Sequence, residues 1–402
     1  MNLSDELKAF ILTHEADDVH SLALQAKQYP GIDLQMAIRQ IAGRKIAKEK
    51  IPSWHANNNI VYPKHLSMEQ CSSEQTARFK ASLCRGESMV DLTGGFGVDC
   101  SFLARNFKDV TYVEQQSELA EIAVHNFEIL EQDIKVVNED AVEYLSAMSS
   151  ASLIYIDPAR RDNTGKKTVQ IEDCTPNILD IESLLEEKSE QVMIKLSPML
   201  DISLAVRSMK SVSDVYIISV NNECKELLFI QKKGNTDKTL YHCVNIQNGN
   251  TDIYTFRKED EDDLFLDYAT KIAKYLYEPN ASILKGGSYK SIAKAYSLDK
   301  LHPSSHLYVS DVLYENFLGR KFVVDNICSL NKKDVKAFLS GIKQANITTR
   351  NFPLSVQEIR KKTGLKDGGD IYIFATTLAD DRKVLLTVSY THLRAHETRR
   401  HL

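Results

Sequence analysis

The chain has 402 residues, 26 % of them charged and 43 % apolar, with 50 Lys and Arg against 55 Asp and Glu. This balance excludes a disordered, collagen-like or disulfide-scaffold protein, and at roughly 150 residues per domain it predicts two or three domains. A net charge of −5 excludes a global basic field, so a nucleic-acid partner would have to meet a local patch.

Residues 1 to about 50 read as helices, with Leu34, Ile38, Ile41 and Ala42 at helical spacing and Arg39, Arg44, Lys45, Lys48 and Lys50 largely between them. Those cations form either an RNA-facing stripe or an ordinary solvated face. Pro52 and Trp54 mark a break. From residue 88 the texture becomes short apolar runs alternating with helical stretches: 88–92, 110–114, 134–138, 152–157, 192–197 and 214–220 read as buried strands. This alternation predicts an α/β fold with a doubly wound, mostly parallel sheet spanning 61–235, closed at one edge by a strand at 226–233. Residues 236–330 read as a connecting α+β region: an antiparallel pair at 240–246 and 252–258, then the acidic run 259–263, then a helix ending near Tyr277.

A compact α+β module of helix, strand, helix and hairpin is expected over 331–388. Within 332–366 it gathers nine Lys and Arg against Asp334 and Glu358. The last stretch, 389–402, with His392, His396 and His401, does not share this texture and reads as a non-native read-through tail rather than a metal site. The seven cysteines (71, 84, 100, 174, 224, 243, 328) form no CxxC pair, and no metal site is expected. No apolar run approaches the roughly 18 residues that cross a bilayer, and MNLSDELKAF lacks a basic leader segment. A soluble cytoplasmic protein with reduced thiols is the expectation.

The sharpest local signal is Asp91-Leu92-Thr93-Gly94-Gly95-Phe96-Gly97-Val98-Asp99, which follows an apolar strand and opens a helix. Glycines at such a turn let the backbone approach a ligand closely at positive φ. A dehydrogenase-type GxGxxG does not fit: starting at Gly95 it puts Cys100 at the third glycine, and starting at Gly94 it puts Phe96 at the second. Glu114 ends the second strand, where a carboxylate can accept ribose hydroxyls of either kind of nucleotide cofactor. Asp140 follows the third strand and also suits the N-cap of the next helix.

The second signal is Ile154-Tyr155-Ile156-Asp157-Pro158-Ala159-Arg160-Arg161-Asp162 at the carboxyl end of the fourth strand, beside the topological switch point. Asp157 with the Pro158 carbonyl can accept hydrogen bonds from an amine, while the arginines suit base stacking or a phosphate. Lys195-Leu196-Ser197-Pro198 follows the next strand and offers no cysteine, which argues against covalent attack on a pyrimidine. Ahead of the glycine turn, Ser73, Thr76 and Ala77 read either as a cofactor-covering segment or as a helix start.

The D-x-x-x-G-x-G turn resembles motif I of class I S-adenosylmethionine-dependent methyltransferases. Taken with IDPARRD, IKLSPMLD and Glu278-Pro279-Asn280-Ala281-Ser282-Ile283-Leu284-Lys285-Gly286-Gly287, the chain resembles the bacterial family of such enzymes that carries a C-terminal THUMP-like domain. The resemblance covers most of residues 50–387. It implies S-adenosylmethionine as cofactor, with Asp91, Thr93, Gly95, Gly97, Glu114 and Asp140 around it. It further implies Asp157, Pro158 and Arg160 at the reacting amine, Arg161 and Lys195 toward the substrate, and an RNA partner held through phosphates. Direct methyl transfer to a base nitrogen is the expected reaction. A small-molecule or protein substrate, or an inactive SAM-fold RNA-binding protein, are the alternatives, because Ala159 and Arg160 stand where D/N-P-P-aromatic is usual.

Overall fold

The computed structural model describes residues 3–160, 170–329 and 331–391. It falls into two compact units, Met1–Val220 with Lys225–Thr239 and Asn221–Cys224 with Leu240–Leu402.

The first unit is built on strands β1 (Gly86–Asp91), β2 (Phe107–Val113), β3 (Lys135–Val137), β4 (Ala151–Ile156), β5 (Ser189–Leu196), β6 (Val212–Val220) and β7 (Glu223–Lys232). Their spatial order is β6-β7-β5-β4-β1-β2-β3. β1 pairs in parallel with β2 and β4, β2 with β3, and β4 with β5. The strands nearest the middle are apolar on both faces, as a sheet covered by helices on both sides requires. β7 corrects the sequence expectation. It is not an edge strand but lies inside the order, antiparallel to β5, with six consecutive residues buried. Asn221 and Asn222, at φ 50° and 62°, supply a tight two-residue reversal that turns the chain straight back from β6 into β7.

The N-terminal helices share this unit's core. Leu34–Lys50 is capped by Asp33, whose carboxylate accepts from the Met36 N–H, and it buries Ala37, Ile41 and Ala47. These pack with Trp54, Ile60, Val61 and Tyr62 against Phe96, Val98, Phe102 and Ile122. The Trp54 and Phe96 rings meet edge to face at 5.0 Å. Two buried side-chain amides act as substitute strands for the connecting segment. Asn126 accepts from Val61 N–H and donates to Val61 C=O, both at 2.9 Å. Gln40 does the same for Tyr62, at 2.8 and 2.9 Å. Much of the basic face read from the sequence is tied internally: Arg39 pairs with Glu118, Arg44 with Glu15, and Lys45 and Lys50 donate to main-chain carbonyls. Such residues are poor candidates for an RNA-facing stripe.

The second unit contains the antiparallel pair β8 (Leu240–Gln247) and β9 (Asn250–Arg257). It also holds a sheet of β10 (Tyr275–Pro279), β11 (Asp299–Lys300), β12 (Tyr308–Ser310), β13 (Gly319–Ser329), β14 (Asn346–Arg350), β15 (Tyr372–Thr377) and β16 (Lys383–Tyr390). Its order is β11-β12-β10-β13-β16-β15-β14. Several expectations change. The acidic run is itself the short helix Lys258–Asp263, and residues up to Tyr277 enter a strand rather than end a helix, because alternate pairing of β10 to β12 and β13 buries Leu276. The α+β module expected from 331 takes in β13 as well, since Val323 and Val324 pair with Ser389 and Val388 of β16. Ser389 and Tyr390, assigned above to a foreign tail, continue that strand, with the Tyr390 ring 4.7 Å from Phe322. Residues 392–402 lie outside the described residues.

Replacing Asn126 with Leu should lower stability by about 2–4 kcal/mol, because the Val61 N–H and C=O would be left buried and unpaired. A urea midpoint shift, with the slope unchanged, measures this; no shift would show that the amide clamp is dispensable.

Candidate functional site

The carboxyl ends of β1, β2 and β4 bring the two motifs together. Asp91 ends β1, is 1 % exposed, and its carboxylate accepts from the Thr93 N–H at 3.0 Å. Burial pushes its carboxyl well above the usual range, reinforced by the nearby Asp99, Asp157 and Glu114. Glu114 sits just past β2, 7 % exposed, and clamps the glycine turn: Oε2 accepts from Gly95 N–H and Oε1 from Gln116 N–H, both at 2.8 Å. Tyr112 completes the clamp by donating its hydroxyl to the Gly95 carbonyl at 2.6 Å.

The three glycines have different reasons. A Cβ on Gly94 would lie 2.0 Å from the Tyr112 ring, and one on Gly97, at φ 83°, would lie 2.9 Å from Phe127. Both are demanded by packing. Gly95, at φ 57°, would place a Cβ 3.8 Å from the Thr93 carbonyl, an ordinary contact, so its left-handed backbone and not packing calls for glycine. Asp140 behaves as an N-cap: its Oδ1 accepts from the Val142 and Glu143 N–H groups at 2.8 and 3.2 Å. Ser73 likewise caps the helix Glu74–Ser82 through the Thr76 N–H.

The fourth-strand motif is coupled to the glycine turn through Thr93, whose hydroxyl accepts from the Asp157 N–H at 2.6 Å. Lys195, on β5, reaches the Asp157 carboxylate at 2.6 Å. Lys195 is only 9 % exposed where Asp157 is 35 % exposed, so the lysine stands behind the carboxylate. The contact that the structure gives Lys195, expected to face substrate, is with Asp157. Pro158 is buried, and Ala159–Arg160 forms a two-residue strand against Cys174–Thr175. Arg161 falls outside the described residues.

Behind Asp157 lies a buried polar cluster that the sequence reading missed. Lys80, fully enclosed, contacts Asp99 at 3.0 Å, Glu226 at 2.7 Å and the Ser72 hydroxyl at 2.8 Å. Asp99 also accepts from Ser72 and Tyr155 hydroxyls at 2.7 and 2.6 Å, and lies 3.5 Å from Lys195. Burial alone would raise the Asp99 carboxyl, but Lys80 and Lys195 hold it below the usual carboxylate range. Burial dominates at Asp157 and pushes its carboxyl up in spite of Lys195. Burial works against the charged form of Lys195 as well, yet Asp157, Asp99 and Glu226 keep it firmly protonated. The one sequence signal for this cluster was a lysine at a buried phase of the helix Glu74–Ser82.

In the second unit, the Glu-Pro-Asn motif is architectural. Glu278, 3 % exposed, accepts from Arg320 at 2.8 Å and Arg350 at 2.7 Å, and Asn280 caps the helix Ala281–Gly286. Of the nine cations counted in 332–366, Arg350 is thus tied to Glu278, and Arg360 to the Ala345 carbonyl and Asp367. Lys333, Lys336, Lys343, Lys361, Lys362 and Lys366 remain exposed.

Residues 275–317 match a family model described as a ferredoxin-like domain, and residues 319–389 one described as THUMP domain-like. A crystal structure described as that of a "putative methyltransferase" from Porphyromonas gingivalis W83 is 30 % identical, with TM-score 0.86 over 97 % of this chain and 100 % of that one. The T. thermophilus 16S rRNA N2 G1207 methyltransferase, solved with AdoMet and guanosine, is 15 % identical over 42 % of this chain and 43 % of its own, with TM-score 0.31. An rRNA methylase from Streptococcus thermophilus is 15 % identical over 40 % and 95 %, with TM-score 0.30. No curated protein matches the chain.

Gly94→Ala should cost about 1–3 kcal/mol, since the Tyr112 ring has to move to admit a methyl group. Thermal melting checks this, and an unchanged midpoint would contradict the packing described.

Proposed function

This chain belongs to the family of class I methyltransferases that carry a C-terminal THUMP-like domain, and from that premise we propose that it transfers a methyl group from S-adenosylmethionine to an amine nitrogen of an RNA base. The observation that carries the cofactor reading is the glycine turn at the carboxyl end of β1, in which an uncrowded Gly95 is held by the buried Glu114 and Thr93 by the buried Asp91. Gly95 is called for by its left-handed backbone rather than by packing, and the uncrowded glycine leaves its backbone open to close approach by a cofactor. The strand order supports the same reading. A reversed strand between β5 and β6 departs from the 3-2-1-4-5-6 order of nicotinamide-binding folds.

Asp91, Thr93, Gly95, Gly97 and Glu114 would hold the cofactor, with Glu114 accepting from ribose hydroxyls while it keeps Gly95 in place. Asp140 joins them at the adenine end only if its second carboxylate oxygen turns inward. Once bound, S-adenosylmethionine supplies a methyl group already attached to its leaving group. The protein's task is then alignment and exclusion of water. Thr93 and Lys195 fix Asp157 from two sides, and its carboxylate, with the Pro158 carbonyl, orients the lone pair of the incoming amine. Arg160 and Arg161 would meet the base or its phosphate. The exposed lysines of 333–366 would bind phosphates without reading sequence, which accords with the THUMP domain-like match. The cytoplasm is the compartment where such a substrate is made.

Three outcomes test this. Calorimetric titration of the folded protein with S-adenosylhomocysteine should saturate, and Glu114→Ala should weaken binding by roughly 10–100-fold. Asp157→Ala should abolish tritium transfer from labelled S-adenosylmethionine to RNA of a deletion strain, and should also lower the melting temperature because the buried Lys195 loses its nearest carboxylate; full retained transfer by the folded variant would remove Asp157 from the chemistry. Burial raises the folded Asp157 carboxyl, so the active carboxylate is lost on acidification at a pH above the ordinary Asp value of about 3.9. A rate profile with an acid limb at or below that value would contradict the assignment.

A further inference from the structure

We infer that Asp99 is a positioning residue for the proposed transfer: it anchors the Lys195 ammonium, which in turn holds one oxygen of the Asp157 carboxylate and leaves the other for the incoming amine. The inference rests on the proposed role of Asp157 and adds what fixes that carboxylate from behind.

A lysine ammonium is a point charge on a flexible four-carbon stem, so it directs a carboxylate only if something else directs the ammonium. Thr93 settles the main chain at Asp157 by accepting its N–H at 2.6 Å, and this leaves the side chain to Lys195. Asp157 Oδ2 meets Lys195 Nζ at 2.6 Å, and the carboxylate side chain is 35 % exposed, so its second oxygen can meet a donor arriving from solvent. Lys195 is also held by Ser72 Oγ at 3.2 Å and Asp99 Oδ2 at 3.5 Å, and Ser72 donates to that same Asp99 oxygen at 2.7 Å. Asp99 thus grips the ammonium both directly and through a hydroxyl. It cannot turn to follow a moving lysine, because the Tyr155 hydroxyl donates to Oδ2 at 2.6 Å and Lys80 stands 3.0 Å from Oδ1.

The surrounding charges fix the sign of the effect. Lys195 and Lys80 favour the Asp157 anion, whereas Asp99, and Asp91 at the end of β1, oppose it. Lys50, still charged while it donates to the Met68 carbonyl, and Glu226 act on Lys195 with opposite signs. Burial keeps the nearby Tyr155 hydroxyl and Cys71 thiol neutral, the thiol pushed up to about 11. Asp99→Asn removes an anion that opposes ionised Asp157, and it leaves each lysine one carboxylate, Asp157 for Lys195 and Glu226 for Lys80.

The test takes two readings on the full chain. In methyl transfer to RNA, Asp99→Asn should lower kcat roughly tenfold with KM for RNA unchanged, because a misaligned amine slows the step without weakening phosphate contacts. In carbon-detected NMR of aspartate-labelled protein without ligand, the Asp157 carboxyl, assigned by its absence from Asp157→Asn, should titrate at lower pH in Asp99→Asn than in the wild type. Tyr155→Phe, which removes a neutral donor to Asp99, should leave that titration in place. If Asp99→Asn does not fold, the wild type still decides: Asp99 should stay ionised through the range in which Asp157 takes up its proton. An unchanged kcat, a loss confined to KM, an Asp157 titration that stays or moves upward in Asp99→Asn, an equal shift in Tyr155→Phe, or protonation of Asp99 before Asp157 would overturn the inference. Absence of methyl transfer by the wild type would instead overturn the proposed function, while the titrations would still report on the network.

Discussion

An ammonium group with no solvent exposure survives in a fold only if carboxylates reach it, and Lys80 imposes that condition on the first unit. Its two ion pairs and one hydroxyl contact draw on the segment before the helix Glu74–Ser82, on the helix Val98–Leu103 and on β7. Through Asp99 the same network reaches Tyr155 on β4 and Lys195 on β5, and through Lys195 it reaches Asp157. The groups proposed to act on substrate are therefore fixed by residues that do not touch it. Removing one partner would leave a charge buried and unpaired, which is why such clusters tolerate change poorly.

The glycine turn is organised on the same plan, with neutral partners. Glu114 and Tyr112 hold Gly95 from opposite groups of one residue, the N–H and the C=O. Thr93 then links the turn to Asp157. Cofactor turn and fourth-strand motif are one hydrogen-bonded assembly, so a disturbance at either end is felt at the other.

Much of this was legible in the sequence. Short apolar runs separated by helical stretches announced the parallel strands, and the spacing of Asp91, Gly95 and Gly97 with Glu114 pointed to a candidate site that the fold brings to the ends of β1 and β2. The strand at 226–233 was recognised but put at an edge, because periodicity reports burial and not neighbours; the asparagine pair at 221 and 222 held the information that the chain doubles straight back. Lys195 was singled out for its position, yet its role depends on the side chain it meets across strands, which no local pattern encodes. Lys80, Asp99 and Glu226 are far apart in sequence and ordinary in type, so their convergence was invisible. Glu278 was noticed as part of a motif, and its service to Arg320 and Arg350 emerged only with the pairing of β10 and β13.

The N-terminal helices bear on the same turn. Trp54 is the chain's sole tryptophan, and its ring leans on Phe96, the residue next to Gly95. The indole emission of the protein, excited to the red of its tyrosines, therefore originates at a single enclosed ring beside the loop, and a rearrangement of that loop is written into an optical signal that needs no added label.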